Sequence, residues 1–194
     1  MEKLFQLQNH KHLQIKPSDN LHNRTSAHSR IFLIGMMGSG KSFWAKQLAQ
    51  KLKCGGYDLD FLIESSEEKT IAEIFAEDGE EYFRKSEAKI LRWFGEKKTF
   101  ALATGGGTPC FHENMQWMNK NGTTIWIDES VNILAERLKP EKDHRPLIKN
   151  LSDDELKGFL AKKLEERKQF YSQSKIHLQG NEINLKSILK LLNG

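Results

Sequence analysis

The residues from Gly35 to Ser42 have the types and the spacing of a loop that binds nucleotide phosphates. They read Gly-Met-Met-Gly-Ser-Gly-Lys-Ser, which fits the pattern G-x-x-x-x-G-K-[ST]. Glycines let successive backbone N–H groups point at one anion, the lysine adds a charge for the β- and γ-phosphates, and the serine hydroxyl can ligate Mg²⁺. We therefore predict a site for a nucleotide and Mg²⁺ that comprises Gly35, Met36, Met37, Gly38, Ser39, Gly40, Lys41, Ser42 and the next residue, Phe43.

Two acidic residues, Asp58 and Asp60, lie at the end of a second predicted strand, in the sequence Tyr57-Asp58-Leu59-Asp60. At positions i and i+2 on a strand end, their side chains would share a face. One carboxylate can then orient water bound to Mg²⁺, and the other can accept hydrogen bonds from a substrate hydroxyl. An aspartate at such a point can instead serve only as the N-cap of the following helix.

Arg84 and Glu87 lie three residues apart in a segment with helical periodicity, so the glutamate can hold the guanidinium group in place. A fixed guanidinium group suits a bidentate contact with a substrate carboxylate. The alternative is a solvated surface ion pair of little energetic value.

Three successive glycines, Gly105, Gly106 and Gly107, follow the apolar segment that ends at Ala103. A tight turn needs only one or two glycines. Three in a row leave room for a ligand against bare backbone N–H groups.

The elements that must position these residues alternate between strand and helix from Arg30 onward. Short apolar segments predict five strands, at residues 31–34, 57–59, 100–103, 124–127 and 176–178. Helical periodicity follows the phosphate loop over residues 43–52, and a capping box at Ser152 predicts a long helix that ends near Tyr171. This alternation indicates an α/β fold with a parallel sheet, whose ligands gather at the carboxyl ends of the strands.

Composition limits the other functional classes. The 194 residues suffice for one domain, and a net charge of +4 without a recognisable nucleic-acid motif does not favour a nucleic-acid partner. The two cysteines have no metal-ligand or disulfide spacing, which favours a reducing cytoplasm. No apolar segment approaches the ~20 residues of a membrane span.

We interpret residues 1–29, which are rich in His, Asn, Gln and Ser, as a flexible arm, and residues 30–194 as the folded domain.

Five sequence blocks in this order resemble the shikimate kinase family. They are the phosphate loop, the Asp-x-Asp pair, the segment DGExxFRxxE at residues 78–87, the triple glycine, and Arg145-Pro146-Leu147 in a charged segment. The resemblance extends over about residues 30–192. It implies a P-loop kinase fold of the nucleoside-monophosphate-kinase type, with a five-stranded parallel sheet and helices on both faces. It also implies transfer of the γ-phosphoryl group of ATP to the 3-hydroxyl of shikimate, with Mg²⁺ as cofactor and the small molecules ATP and shikimate as partners. We expect a monomer.

The same resemblance implies roles for individual residues. Asp60, Arg84 and Arg167 would bind shikimate together with the three glycines, and Asp58 would join Ser42 at the metal. Arg137 would lie beside the adenine, and Arg145 would close over the phosphates from a lid at about residues 138–150. The residues expected to be catalytic are Lys41, Asp60 and Arg145.

Two other functions remain compatible with parts of the sequence. A gluconate-type sugar-acid kinase would also need arginines for a carboxylate, although DGExxFRxxE with the triple glycine disfavours it. A nucleotide-binding regulatory protein without catalysis would be expected to lack the loop lysine, the acidic residue or the lid arginine, and Lys41, Asp60 and Arg145 are all present.

Deletion of residues 1–28 tests the interpretation of the arm. Every catalytic candidate lies beyond Arg30, and an unpacked terminus contributes little to a core, so kcat/KM should stay within about threefold of the full-length value. Limited proteolysis of the intact chain should cut the arm first. A truncated protein that is soluble yet inactive would contradict this interpretation.

Overall fold

The computed structural model describes residues 30–144 and 147–193. The predicted arm at residues 1–29 lies outside the described residues, and so does the predicted lid residue Arg145.

Strands and helices alternate along the described chain as the sequence predicts. The strands are β1 (Arg30–Ile34), β2 (Gly55–Asp58), β3 (Phe100–Ala103), β4 (Thr123–Asp128) and β5 (Ile176–Gln179). The α-helices are α1 (Lys41–Leu52), α2 (Leu59–Glu67), α3 (Ile71–Glu77), α4 (Gly79–Phe94), α5 (Asn114–Asn121), α6 (Val131–Leu138), α7 (Asp153–Tyr171) and α8 (Leu185–Asn193). Short 3₁₀ turns occupy Thr108–Cys110, Lys139–His144 and Gly180–Glu182.

The five strands form one parallel sheet in the order β2-β3-β1-β4-β5, which confirms the predicted fold class. Leu33 in β1 and Asp58 in β2 both pair with Ala103 in β3. The segments that follow these three strands therefore leave the sheet at the same edge. They carry the phosphate loop, the acidic pair and the triple glycine.

Apolar side chains cover both faces of the sheet. In β1, Phe32 and Ile34 pack into one buried cluster, while Ile31 and Leu33 pack into a second cluster with Leu48 of α1. All four strand residues are almost fully buried. This arrangement explains why the strand sequences are continuously apolar rather than alternating.

Two helix boundaries bear on the site. Helix α1 begins at Lys41, two residues before the predicted start, so its N-terminus directly faces the phosphate loop. Helix α7 begins after the Ser152 capping box and ends at Tyr171, as predicted. Because α7 is long, it carries Arg167 and Tyr171 back to the edge of the sheet that holds the other candidate residues.

Among the helices in the described ranges, none is long and apolar enough to cross a membrane.

Candidate active site

The phosphate loop wraps the N-terminus of α1. Gly38 and Gly40 have φ angles of 78° and 88°, in the left-handed region that favours glycine. Gly40 is the N-cap of α1 and has no side chain to occupy the helix end, so the first N–H groups of the helix remain available to an anion. The Lys41 ammonium group donates to the Met36 carbonyl oxygen at 2.8 Å, which holds the lysine across the loop.

The first acidic residue, Asp58, joins the phosphate loop to the second strand. The Ser42 hydroxyl donates to Asp58 Oδ2 at 2.5 Å, and the Asp60 amide donates to Asp58 Oδ1 at 3.0 Å. Asp58 is therefore the N-cap of α2 and also lies against the loop serine. The N-cap alternative that the sequence left open is therefore true of Asp58, and the proposed role at Mg²⁺ stays a prediction.

The second strand lies two residues earlier at its start than the predicted range 57–59. The prediction that the Asp58 and Asp60 side chains share a strand face was wrong. Strand β2 ends at Asp58, and Asp60 lies in the first turn of α2. The aspartate cap starts the helix immediately, so helical geometry rather than strand alternation directs the second carboxylate.

The Asp60 carboxyl lies in an environment that disfavours its charge. The protein atoms around the Asp60 carboxyl displace water from it and raise its pKa to about 6. The negative charges of Asp58 and Glu87 also raise this pKa, and the positive charge of Lys41 lowers it. The residue nevertheless retains solvent-exposed surface, so protons can reach the carboxyl from water. A carboxyl group that titrates near neutral pH and stays accessible suits proton transfer.

Arg84 and Glu87 form a buried ion pair. The alternative interpretation of the sequence, a solvated surface ion pair, was wrong. The Arg84 side chain is 11% exposed and that of Glu87 is 0% exposed, with Arg84 Nη1 and Glu87 Oε2 3.0 Å apart. Glu80 accepts from Nε and Nη2 of the same guanidinium group. Burial raises the pKa of Glu87, and the contacts with Arg84 and the Thr108 hydroxyl act in the opposite direction.

Arg167 reaches the site from α7. Its Nη1 lies 3.8 Å from the Met36 sulfur atom. Tyr171, one turn further along α7 and fully buried, donates its hydroxyl to the Gly106 carbonyl oxygen at 2.5 Å and lies 3.7 Å from the same sulfur atom. Helix α7 is thereby attached to both the phosphate loop and the triple glycine.

Each glycine of the triple faces one candidate side chain. A Cβ atom built on Gly105 would lie 2.9 Å from Asp60 Oδ1, one on Gly106 would lie 2.9 Å from Arg167 Nη1, and one on Gly107 would lie 2.6 Å from Arg84 Nη2. The missing side chains therefore make room for Asp60, Arg84 and Arg167, in addition to any ligand. The structure brings these three residues together around one short loop.

Arg137, in the last turn of α6, contacts the phosphate loop. Its Nη1 donates to the Gly38 carbonyl oxygen at 3.2 Å, and its Nη2 donates to Glu129 at 2.8 Å. Phe43 points outward with 56% of its surface exposed and contacts the Trp44 ring.

Four residues that contact the candidate residues or the triple glycine were not selected from the sequence as site residues: Glu87, Thr108, Tyr171 and Phe111, whose ring lies over the Arg84 guanidinium group. Glu87 was considered only as a partner of Arg84. Tyr171 contacts residues 65 and 135 positions away, so no local pattern could identify it.

Comparison with known proteins identifies close relatives over most of the chain. The model of the family described as shikimate kinase matches residues 37–193. The chain is similar to the shikimate kinase of Azobacteroides pseudotrichonymphae, with 43% identity over 164 residues that cover 84% of this chain and 96% of that protein. It is also similar to the shikimate kinase of Flavobacterium psychrophilum, with 45% identity and coverage of 75% and 86%.

Solved structures agree with the sequence relatives. The crystal structure of shikimate kinase from Bacteroides thetaiotaomicron matches with a TM-score of 0.78 and 37% identity, covering 86% of this chain and 96% of that one. The shikimate kinase from Acinetobacter baumannii, solved in complex with shikimate, matches with a TM-score of 0.74 and 27% identity, with coverage of 86% and 90%.

The raised pKa of Asp60 leads to a testable pH dependence. If the ionised carboxylate acts on the acceptor, kcat/KM for shikimate at saturating ATP should fall about tenfold per pH unit below pH 6. An Asp60→Asn variant should be slow and should lack this decline. A decline of the same shape in the variant would assign the titration to another group, such as the nucleotide.

The same shift predicts an effect on stability. Because the folded state holds the Asp60 proton more tightly than the unfolded chain, the wild type loses stability as pH rises through about 6. Asp60→Asn should therefore raise the melting temperature relative to wild type at pH 7.5, with a smaller difference at pH 4.5. Equal differences at the two pH values would contradict the raised pKa.

Proposed function

The chain belongs to the shikimate kinase family, and from this premise we propose how its residues divide the work of the reaction. The enzyme uses ATP to phosphorylate shikimate, in the pathway to chorismate and the aromatic amino acids. Transfer of the γ-phosphoryl group to the 3-hydroxyl gives 3-phosphoshikimate. Such a transfer depends on alignment and on neutralisation of phosphate charge, rather than on covalent catalysis by the protein.

The proposed acceptor pocket lies around the triple glycine. The main support is that a Cβ atom at each of the three glycines would collide with Asp60, Arg167 or Arg84. Arg84 and Arg167 bind the carboxylate of shikimate, because guanidinium groups pair well with carboxylates. Asp60 accepts hydrogen bonds from the hydroxyls. A pocket that pairs every polar group of its substrate rejects analogues that leave those groups unpaired.

The phosphoryl donor occupies the opposite side of the site. Residues 35–42 hold the phosphates of ATP with backbone N–H groups and the N-terminus of α1. Lys41 follows the γ-phosphoryl group and stabilises charge in the transition state. Arg137 supports the loop through its hydrogen bond to Gly38 and would lie beside the adenine.

The oxygen ligands near the loop fit Mg²⁺. Ser42 Oγ and Asp58 Oδ2 are adjacent hard oxygen atoms, of the kind that Mg²⁺ prefers. Among the described residues, no three His, Cys, Asp or Glu side chains form a metal cluster, which suits an ion held mainly by phosphates, water and one or two protein groups. When bound, Mg²⁺ supplies positive charge beside the phosphate oxygens.

Asp60 positions the attacking hydroxyl and accepts its proton. At pH 7 a carboxyl with a pKa of about 6 is mostly ionised, yet it is a stronger base than an ordinary aspartate. In a dissociative transfer the proton leaves late, so the orienting hydrogen bond matters from the start and the proton transfer follows.

Arg145 closes over the phosphates from the proposed lid at residues 138–150. Leu138 and Ile148, near the two ends of this segment, are fully buried in the core. A segment that is anchored in the core near both ends can change conformation between these anchors and exclude water from the site.

We further propose that the enzyme acts as a monomer in the cytoplasm. Both cysteines, Cys54 and Cys110, are unpaired. A reducing compartment suits free thiols.

A coupled ADP-release assay with ATP and Mg²⁺ tests the overall proposal. Shikimate should stimulate release strongly over a blank without acceptor, and gluconate should not. Equal stimulation by gluconate would favour the sugar-acid kinase, and no stimulation by either compound would favour a regulatory protein.

The Arg84→Ala variant tests the acceptor pocket. Truncation of one partner in a buried charged contact costs about 2–5 kcal/mol, so KM for shikimate should rise far more than KM for ATP. Lys85→Ala, which removes an exposed lysine from the next position of α4, is the matched control and should change neither constant. Equal changes in both KM values would make Arg84 a structural partner of Glu87 only.

The Arg145→Ala variant tests the lid. Because the arginine is proposed to reach the phosphates only on closure, kcat should fall by orders of magnitude. Calorimetric binding of shikimate without nucleotide should be nearly unchanged. A large loss of binary affinity would instead assign Arg145 to the acceptor pocket.

A further inference from the structure

Phe111 lies against the guanidinium group of Arg84. Its ring centroid is 4.3 Å from Arg84 Cζ, closer than the 4.9 Å of the Phe83 ring. Phe83 is buried, as its place in the core requires, whereas Phe111 is 38% exposed. Because Phe111 is exposed, packing in the core does not explain why its ring lies against Arg84.

The backbone around Phe111 is held in an unusual conformation. The next two residues, His112 and Glu113, have φ angles of 48° and 55°, in the left-handed region that non-glycine residues rarely adopt. Arg92 of α4 stabilises this turn, because its Nη2 donates to the His112 carbonyl oxygen at 2.6 Å and its Nη1 to Asn114 Oδ1 at 2.5 Å. Strained backbone persists only where its surroundings impose it, and it concentrates at functional sites.

A second connection ties the same loop to the partner of Arg84. Asn114, which is fully buried, donates to the Thr108 carbonyl oxygen at 2.9 Å. The Thr108 hydroxyl donates to Glu87 Oε1 at 2.6 Å, and the other oxygen of Glu87 accepts from Arg84. Residues 108–114 are therefore fixed at both ends relative to the Arg84–Glu87 pair.

We propose that Phe111 is a positioning residue for the acceptor carboxylate: the fixed loop at residues 108–114 presents its ring to Arg84 and thereby holds the guanidinium group for that carboxylate. This inference rests on the proposed role of Arg84. Contact with an aromatic face attracts the cation, and the ring excludes water from the guanidinium group. With less water around it, the charged hydrogen bond to the substrate strengthens. The ring itself makes no polar contact with shikimate.

The Phe111→Leu variant tests the inference because it keeps an apolar side chain and removes the aromatic face. KM for shikimate should rise about three- to tenfold, with kcat and KM for ATP changed less than about twofold. Phe111→Tyr keeps the ring and should restore the wild-type KM. Tyr82→Leu, which removes a 44% exposed ring two positions before Arg84, is the control and should leave KM unchanged.

A double-mutant cycle separates this inference from the proposed function. In an Arg84→Ala background, Phe111→Leu should add less than about twofold to KM for shikimate, because its effect passes through the guanidinium group. The same increase in both backgrounds, or no increase in wild type, would overturn the positioning role. If Arg84→Ala alone leaves KM for shikimate unchanged, the proposed carboxylate site fails first. Melting temperatures of all variants identify any loss due to unfolding.

Discussion

The proposed acceptor half of the active site depends on one buried charge, the carboxylate of Glu87. This side chain is fully buried, and burial alone favours its neutral form. Two donors hold it, since Arg84 donates to one oxygen and the Thr108 hydroxyl to the other. Removing one partner of a buried pair leaves an uncompensated charge and costs about 3–5 kcal/mol. The position of Arg84 is thus set by the interior of the protein as well as by any ligand.

The same carboxylate influences the other end of the pocket. A Cβ atom on Gly105 would lie 3.1 Å from Glu87 Oε1 and 2.9 Å from Asp60 Oδ1, so the two acids approach this glycine closely. The charge of Glu87 contributes to the raised pKa of Asp60. One buried glutamate therefore orients the group proposed to bind the substrate carboxylate and also increases the basicity of the group proposed to accept the proton.

The sequence predicted the features that depend on local pattern. Strand composition, the phosphate loop and the Ser152 capping box each encode structure within a few residues, and the parallel sheet follows from their alternation. The boundary at Asp58 was misplaced because a residue that ends a strand and caps a helix carries both signals. The glycines were recognised, but the side chains that fill their space come from α2, α4 and α7. Those contacts depend on the folded sheet and leave no local pattern in the sequence.

Met36 shows how the two halves of the site are joined. The phosphate-loop pattern allows any residue at this position, yet its carbonyl oxygen accepts from Lys41, and its sulfur atom lies near Arg167 and the Tyr171 hydroxyl. Methionine can make such contacts because its thioether is polarisable and its side chain fits irregular spaces. The Tyr171 hydroxyl also holds Gly106. A shift of α7 would consequently move the proposed carboxylate site and the lysine beside the phosphates together. For a reaction that depends on alignment of donor and acceptor, this shared attachment links the positions of the two proposed sites.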